Sequence, residues 1–214
     1  MQALVIGATG LVGREIVRQM LEDARYETVR TFARRKSGLS HKKLEERVVD
    51  FEDLACGKAS WNKDVAGDVV YSALGTTLKQ AGGKSAQFRV DYDYQYAFAT
   101  AARENGVPAL VLISSYGADA RAANFYLRMK GKLEAAVAAL NFDRLTILRP
   151  GMLAGRREKP RFGESAGAAV LNVVAHIPGL GAWRPIDGAT VARAALRSPA
   201  GVFSLGELFE LGKA

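Results

Sequence analysis

The sequence predicts an α/β protein built on a Rossmann-type, doubly wound parallel sheet, with a small C-terminal cap for a substrate. Short apolar runs alternate with longer segments in which apolar residues recur every three or four positions. The run at residues 110–113 is typical of a parallel strand that helices cover on both faces. Gly7, Gly10 and Gly13 follow the first apolar run, where a strand would turn into a helix.

Six strands are predicted, and most are apolar segments bounded by polar residues. They are Gln2–Ile6, Thr28–Ala33, Arg47–Val49, Asp68–Ala73, Ala109–Ser114 and Arg144–Leu148. Three amphipathic helices are predicted between them. The apolar face of the first is lined by Val12, Ile16 and Met20, and that of the second by Phe88, Tyr92, Ala99 and Ala102. The apolar face of the third is lined by Phe125, Met129, Leu133, Val137 and Leu140. Strand–helix–strand units with right-handed crossovers build a parallel sheet.

The pattern weakens after Pro150, where glycine and proline become frequent. An apolar helix is predicted at Ser165–His176, a final helix at Ala189–Arg197 and a strand near Gly201–Leu205. We therefore assign residues 1–158 to the Rossmann domain and residues 159–214 to a small cap region of the same compact domain. The cap is expected over the carboxyl ends of the strands, where open α/β sheets bind ligands.

Composition and charge exclude several function classes. The single cysteine, Cys56, excludes an internal disulfide framework and a metal site of several thiolates, and no metal site is expected. The N-terminus has no basic leader and no apolar stretch could span a bilayer, so we expect a cytoplasmic protein without membrane contact. The net charge of +8 lies in clusters outside any nucleic-acid-binding module, so no nucleic-acid partner is expected.

The glycine turn carries the first functional prediction. Gly7, Gly10 and Gly13 form Gly-x-x-Gly-x-x-Gly, a variant of the Gly-x-Gly-x-x-Gly of many dehydrogenases. One glycine permits a tight turn, another lets a pyrophosphate approach the backbone, and a third lets the helix pack closely on the strand. The N-terminus of the helix offers free N–H groups to the phosphates. A bound dinucleotide is therefore predicted.

The end of the second strand predicts which dinucleotide is bound. Arg34 and Arg35 stand where NAD enzymes usually carry an acid for the ribose 2′-hydroxyl. Because a guanidinium can clamp a phosphate with two hydrogen bonds, NADP(H) is predicted, with Arg34 favoured as the contact. Asp50, after the third strand, leaves two interpretations open: a hydrogen bond to the adenine amino group, or the N-cap of a helix at Phe51–Leu54.

Candidate catalytic residues follow the fifth strand. Ser115 ends that strand, and Tyr126 and Lys130 lie four residues apart on one face of the next helix. A nearby ammonium would lower the pKa of the tyrosine, which could then exchange a proton with a carbonyl or an alcohol during hydride transfer. Ser115 would orient the substrate oxygen and stabilise its developing charge.

Together these residues resemble the short-chain dehydrogenase/reductase superfamily in its atypical branch, and most closely the Tat-interacting-protein-like group of NADPH-binding proteins. The likeness covers residues 1 to about 158 well and the remainder loosely. The segments that carry it are Gly7–Gly13, Val48–Glu52, Leu74–Thr77, Phe88–Asp91, Ser114–Asp119, Tyr126–Glu134 and Arg149–Gly151.

The resemblance implies a role for each matching residue. It implies that the pyrophosphate is bound by Gly7, Thr9, Gly10, Leu11 and Val12, with Gly13 completing the turn. It implies that the adenosine phosphate lies against Arg34 and Arg35, and the adenine against Asp50 and Phe51. It implies that the ribose lies against Leu74 and Gly75, and the nicotinamide against Pro150, Gly151 and Met152. Ser115, Tyr126 and Lys130 match the catalytic positions, and Lys130 would also bind the nicotinamide ribose. The asparagine of many superfamily enzymes is not evident, and Asp91 or Tyr92 falls in its region.

Two functions of different classes remain. The leading hypothesis is an NADPH-dependent oxidoreductase of the atypical short-chain type that acts on a small carbonyl or related substrate. The alternative is an NADPH-binding regulatory protein that senses redox state and acts through a protein partner without turnover, because the Tat-interacting-like branch is associated with regulation. A sugar-nucleotide epimerase is disfavoured, since only about 60 residues follow Pro150.

Overall fold

The structure is a computed structural model that describes residues 1–154 and 185–213. Nine strands lie in these ranges: β1 Gln2–Ile6, β2 Thr28–Ala33, β3 Leu44–Val48, β4 Val69–Ser72, β5 Ala109–Ile113, β6 Arg144–Arg149, β7 Leu153–Ala154, β8 Ile186–Asp187 and β9 Gly201–Ser204. Seven of them form one parallel sheet in the order β3-β2-β1-β4-β5-β6-β9, and β7 pairs with β8 separately. The predicted Rossmann-type parallel sheet is confirmed.

The described helices connect the strands and cover both faces of the sheet. They are α1 Leu11–Glu22, α2 Phe51–Ala55, α3 Leu78–Ala81, α4 Lys84–Phe88, α5 Tyr94–Glu104, α6 Phe125–Ala138, α7 Gly188–Arg197 and α8 Leu205–Leu211. A 3-10 turn occupies Asn62–Asp64, and a π-helical turn at Arg89–Asp93 joins α4 to α5. Among the described residues, no helix has the length and apolar character needed to cross a membrane.

Successive side chains of β1 point to opposite faces of the sheet, and the core lies in two layers, one on each face. Ala3 and Val5 pack with α1, α7 and α8 on one face, whereas Leu4 and Ile6 pack with α5 and α6 on the other. All four side chains are fully buried. Burying both faces removes the polar side of the strand, which is why the sequence shows an unbroken apolar run there.

The edge strand β3 begins three residues before its predicted start. Its sequence, Leu-Glu-Glu-Arg-Val, is mostly charged, and only β2 pairs with it. Arg30 on β2 bridges to Glu45 on β3, with the guanidinium Nε 2.8 Å from a carboxylate oxygen. An edge strand keeps its side chains near solvent, so it needs no apolar run and escapes a prediction based on one.

The segment that crosses from β4 to β5 buries only part of the predicted face. Ala99 and Ala102 of the predicted face are buried in the core. The rings of Phe88 and Tyr92, predicted on the same face, are only half-buried and stack on each other, with centroids 4.7 Å apart. The residues buried instead are polar and recur every four positions: Gln87, Asp91 and Gln95, here called the buried polar stripe. Such groups can be buried because each finds a hydrogen-bond partner inside the protein.

The described C-terminal region extends the sheet, where the sequence predicted a cap over the strand ends. β9 pairs with β6 in parallel, from Thr146 opposite Gly201 to Arg149 opposite Ser204. Helix α7 packs against α1, and Asp187 caps it by accepting a hydrogen bond from the Thr190 N–H at 2.8 Å. The predicted helix at residues 165–176 lies outside the described residues.

Candidate functional site

The carboxyl ends of β1 and β4 meet where the strand order reverses, which is the ligand-binding crevice of open α/β sheets. Gly7 follows β1 with φ +83°, and a Cβ at this position would lie 2.3 Å from the carbonyl carbon of Ala73. A Cβ on Gly13 would lie 2.2 Å from the carbonyl oxygen of Gly7. Both contacts are with backbone, so only glycine fits at either position.

The first turn of α1 forms a cradle beside this turn. Within the described part of the chain, no side chain caps α1, and Thr9 and Gly10 are exposed at its start. The first-turn N–H groups and the positive end of the helix dipole are therefore available to an anion. The Val12 side chain lies in the core, so Val12 can contribute only its N–H. A pyrophosphate fits this arrangement.

Arg34 and Arg35 lie at the same edge of the sheet as the cradle. They follow β2, which pairs with β1 so that Phe32 lies opposite Ile6. Both side chains are exposed, and neither bonds to a described residue. Two cations that have no carboxylate partner among the described residues, at the same sheet edge as a phosphate cradle, are suited to a second phosphate.

Asp50 and Phe51, the two residues predicted to contact the adenine, both have structural roles at the start of α2. Asp50 caps α2, accepting a hydrogen bond from the Glu52 N–H at 2.9 Å, so the N-cap interpretation is the observed one. Phe51 is 2% exposed, and its ring stacks on Tyr94 with centroids 5.8 Å apart. The Phe51 ring therefore lies inside the core and is not free to stack on an adenine.

The candidate catalytic residues lie at the carboxyl edge beyond β5. The Ser115 hydroxyl donates to the Tyr116 carbonyl oxygen at 3.3 Å and lies near enough to the Tyr126 hydroxyl to lower its pKa. The Tyr116 N–H donates to the Pro150 carbonyl oxygen at 2.8 Å, which holds this loop beside the segment after β6. In that segment Pro150 is buried and Met152 is 40% exposed. The structure thus brings Ser115, Tyr126 and the predicted nicotinamide segment to one edge.

The electrostatics of Tyr126 differ from the prediction. Tyr126 is 37% exposed as a whole residue, and desolvation around its hydroxyl group raises the pKa above the ordinary tyrosine value. The Asp91 carboxylate raises this pKa further, and the nearby Ser115 hydroxyl opposes both effects. The prediction that Lys130 lowers the pKa is wrong: the pKa of Tyr126 is raised and Lys130 is not among the causes of its shift, while the Lys130 ammonium donates to the Ile113 carbonyl oxygen at 3.1 Å.

Lys130 is buried, being only 2% exposed. Burial lowers the pKa of its ammonium, whereas the nearby carboxylates of Asp91 and Glu134 raise it. Glu134 accepts hydrogen bonds from the Ser114 hydroxyl and from Arg149, whose Nε lies 3.1 Å from the carboxylate. Sequence reasoning missed this support, although Tyr126, Lys130 and Glu134 recur every four residues on one helix face.

Asp91 is the second residue that sequence reasoning did not assign. It is 2% exposed, and its Oδ2 accepts a hydrogen bond from the Thr76 N–H at 2.9 Å. Burial raises the pKa of this carboxyl to about 6, against the opposing effects of the Lys130 ammonium and the Thr76 N–H. At neutral pH it is therefore an ionised carboxylate held in the interior.

A pH dependence of stability follows from Asp91. Because the folded-state pKa is raised, this group stabilises the fold below pH 4 and loses that contribution as the pH rises through about 6. Asp91→Asn should therefore raise the free energy of unfolding at pH 8 by about 1–3 kcal/mol, with no gain at pH 4. Urea unfolding of both proteins at the two pH values measures the difference. An equal effect at both pH values would contradict the assignment.

Comparison with known proteins identifies the family. A family model described as NAD(P)H-binding matches residues 7–170, from the glycine turn to beyond β6. The chain belongs to this NAD(P)H-binding family. The cofactor is therefore a nicotinamide dinucleotide, as the cradle and the glycine turn predicted.

Curated relatives share most of the chain. The protein named FMP52, mitochondrial, from Eremothecium gossypii is 40% identical over 172 residues, which are 79% of this chain and 74% of that protein. Its namesake from Candida albicans is 33% identical over 202 residues, covering 92% of this chain and 86% of that protein. Their names place these relatives in mitochondria. The cytoplasmic location expected from the sequence is therefore contradicted.

Two solved structures with the same fold are UDP-glucose 4-epimerases. UDP-glucose 4-epimerase from Thermotoga maritima superposes with a TM-score of 0.71 at 17% identity, over 100% of this chain and 82% of that one. The Thermus thermophilus UDP-glucose 4-epimerase, a complex with NAD, gives a TM-score of 0.68 at 20% identity, over 100% and 84%. This likeness supports the Rossmann-type fold. At such low identity it says nothing about the activity of this chain.

Proposed function

We propose that this chain is an NADPH-dependent oxidoreductase of the atypical short-chain type, near the Tat-interacting-like group, that reduces a small carbonyl or related substrate. The observation that carries the proposal is the position of the Tyr126 hydroxyl. It lies beside Ser115 at the edge of the sheet that also holds the cradle of α1. A proton donor and an oxygen-orienting hydroxyl at that edge are the groups that carbonyl reduction needs from the protein.

Each residue of the site then has one task. When bound, the cofactor supplies hydride transfer. Tyr126 holds its proton at neutral pH, because burial raises its pKa, and delivers that proton to the substrate oxygen. Ser115 orients the same oxygen. Lys130 is held by its bond to the Ile113 carbonyl oxygen, and the N–H donors that this bond leaves free are assigned to the nicotinamide ribose.

The backbone and the arginines complete the cofactor contacts. We assign the pyrophosphate to the backbone of residues 7–13, and the ribose of the adenosine half to Leu74 and Gly75 after β4. Pro150, Gly151 and Met152 would border the nicotinamide. Asp50 keeps one side free for the adenine while it caps α2, because a carboxylate accepts several hydrogen bonds.

Cofactor preference tests the role of the arginines. We expect NADPH to bind more tightly than NADH, and removal of the dominant arginine by Arg34→Ala or Arg35→Ala to weaken NADPH binding by about 10- to 150-fold. The reason is the loss of a charge-assisted contact with the 2′-phosphate, which NADH lacks. Fluorescence titration with both cofactors gives the dissociation constants.

Lys42→Ala is the matched control, because Lys42 is an exposed cation of the same basic loop. We expect it to change NADPH affinity by less than about 2-fold at physiological salt. Equal affinity of the wild-type protein for NADPH and NADH would refute the preference. Equal losses from the control and the two arginine variants would reduce the effect to general electrostatic attraction.

A further inference from the structure

The buried carboxylate of Glu134 joins α6 to the ends of two neighbouring strands. Glu134 lies on α6 and is 6% exposed. Arg149, the last residue of β6, binds it through two nitrogens: Nε lies 3.1 Å from Oε1, and Nη2 lies 2.5 Å from Oε2. The hydroxyl of Ser114, which directly follows β5, also donates to Oε1. These three side chains are here called the Glu134 clamp.

The Glu134 clamp is attached to the segments that we assign to the nicotinamide half of the cofactor. Arg149 directly precedes Pro150, the first residue assigned to the nicotinamide. Glu134 lies one helical turn after Lys130 on the same face of α6, about 6 Å farther along the helix axis. The ion pair therefore connects the strand end before Pro150 to the helix face that carries Lys130.

Close backbone packing holds the same part of α6 against the loop after β5. A Cβ on Gly131 would lie 2.2 Å from the carbonyl carbon of Asp119 and 2.3 Å from the nitrogen of Ala120. The Asp119 N–H also donates to the Leu127 carbonyl oxygen at 3.2 Å. These contacts place α6 on the loop, and the Glu134–Arg149 pair places it on β6.

The form of the ion pair suits a positioning role. A guanidinium that binds a carboxylate through two nitrogens fixes the direction of the contact as well as its length. A buried carboxylate in an ion pair adds little net stability, because its desolvation offsets much of the attraction. The main consequence of the Glu134 clamp is therefore a fixed arrangement of β5, β6 and α6.

We propose that Glu134 and Arg149 are positioning residues that set the placement of Pro150–Met152 relative to Lys130, and with it the position of the nicotinamide. The assignment of these segments to the nicotinamide half rests on the proposed function, whereas the Glu134 clamp is a feature of the protein without cofactor. Loosening it should weaken the contacts with the nicotinamide and its ribose. The adenosine half should be unaffected, because its assigned contacts follow β1 and β2.

Two ligands distinguish the two halves of the cofactor. NADPH carries the nicotinamide and its ribose, whereas adenosine 2′,5′-bisphosphate carries only the adenosine and its two phosphates. In isothermal titration calorimetry, Arg149→Met should bind NADPH about 5- to 10-fold more weakly than the wild type and the bisphosphate within about 2-fold of it. Arg149→Lys should lose less NADPH affinity, because it keeps the charge and loses only the two-nitrogen geometry.

Arg144→Met is the matched control, because Arg144 is an exposed arginine at the opposite end of β6. We expect it to leave both affinities within about 2-fold of the wild type. Adding Glu134→Gln to Arg149→Met should cause little further loss of NADPH affinity, because both substitutions remove the same ion pair. Thermal unfolding of each variant shows that the titrated protein is folded.

The outcomes separate this proposal from the proposed function. Wild-type NADPH affinity in Arg149→Met, or an equal loss for the two ligands, would overturn the positioning role. A loss confined to NADPH and absent from Arg144→Met would establish it, even in a protein that reduces no carbonyl, where only the proposed function would fail. If Arg149→Met does not fold, Arg149→Lys is judged by the same comparison of the two ligands.

Discussion

Tyr126→Phe is expected to lower NADPH-dependent turnover by about 100-fold or more and to leave NADPH affinity nearly unchanged. The substitution keeps the ring and removes the hydroxyl, which lies near Ser115 and is proposed to carry the proton for the substrate oxygen. Steady-state NADPH oxidation gives the rate, and fluorescence titration gives the affinity. Tyr116→Phe is the matched control, because Tyr116 is exposed and offers the competing hydroxyl beside Ser115.

Lys130→Met should lower both turnover and NADPH affinity, because this side chain is assigned to the nicotinamide ribose and so helps to position the reacting end of the cofactor. A large loss in Tyr116→Phe together with an unchanged rate in Tyr126→Phe would transfer the proton donor to Tyr116. Turnover that survives both tyrosine substitutions would exclude a tyrosine as the donor.

Gly13→Ala is expected to destabilise the fold by about 3 kcal/mol or more and to abolish NADPH binding. The new methyl group would lie 2.2 Å from the Gly7 carbonyl oxygen and 2.7 Å from its carbonyl carbon. Since both atoms belong to the backbone, α1 and the glycine turn must separate, and the cradle is lost with them. Thermal unfolding should show a fall in melting temperature of roughly 5 °C or more for a domain of this size.

Gly206→Ala separates this effect from the general cost of altering a helical glycine. Gly206 lies in α8, and nothing approaches the position of its Cβ within 4 Å. Alanine there should change stability by less than about 1 kcal/mol, in the stabilising direction. NADPH binding at wild-type affinity by Gly13→Ala would contradict the close approach between α1 and the turn.

The sequence predicted strands correctly where both faces of the strand are buried. The prediction was less accurate where the position of a strand depends on its packing against neighbouring strands. β1 and β5 are unbroken apolar runs, and their predicted starts match the structure. β3 is held at the edge by pairing with β2 and by the Arg30–Glu45 bridge, and neither feature leaves an apolar pattern. The strand near Gly201–Leu205 was predicted, but its pairing with β6 was not, because its four residues are exposed or only partly buried.

The site was predicted where a residue's role depends on local geometry. The glycine turn depends on spacing after a strand, and the Ser115–Tyr126 contact depends on positions along one strand and one helix. The direction of the Lys130 ammonium and the burial of Asp91 could not be predicted in this way. Lys130 turns to a carbonyl of β5, and Asp91 faces inward on a π-helical turn that a 3.6-residue period does not anticipate.

Deuterium transfer from NADPH labelled at C4 tests the central claim most directly. The protein is mixed with the labelled cofactor and a panel of aldehydes and ketones, and alcohol products are analysed by mass spectrometry for the wild type and Tyr126→Phe. The proposed function predicts deuterium on the former carbonyl carbon of at least one product, formed about 100-fold more slowly by Tyr126→Phe. Tight NADPH binding without label in any product would contradict it and favour the regulatory alternative, in which NADPH shifts the affinity for a protein partner.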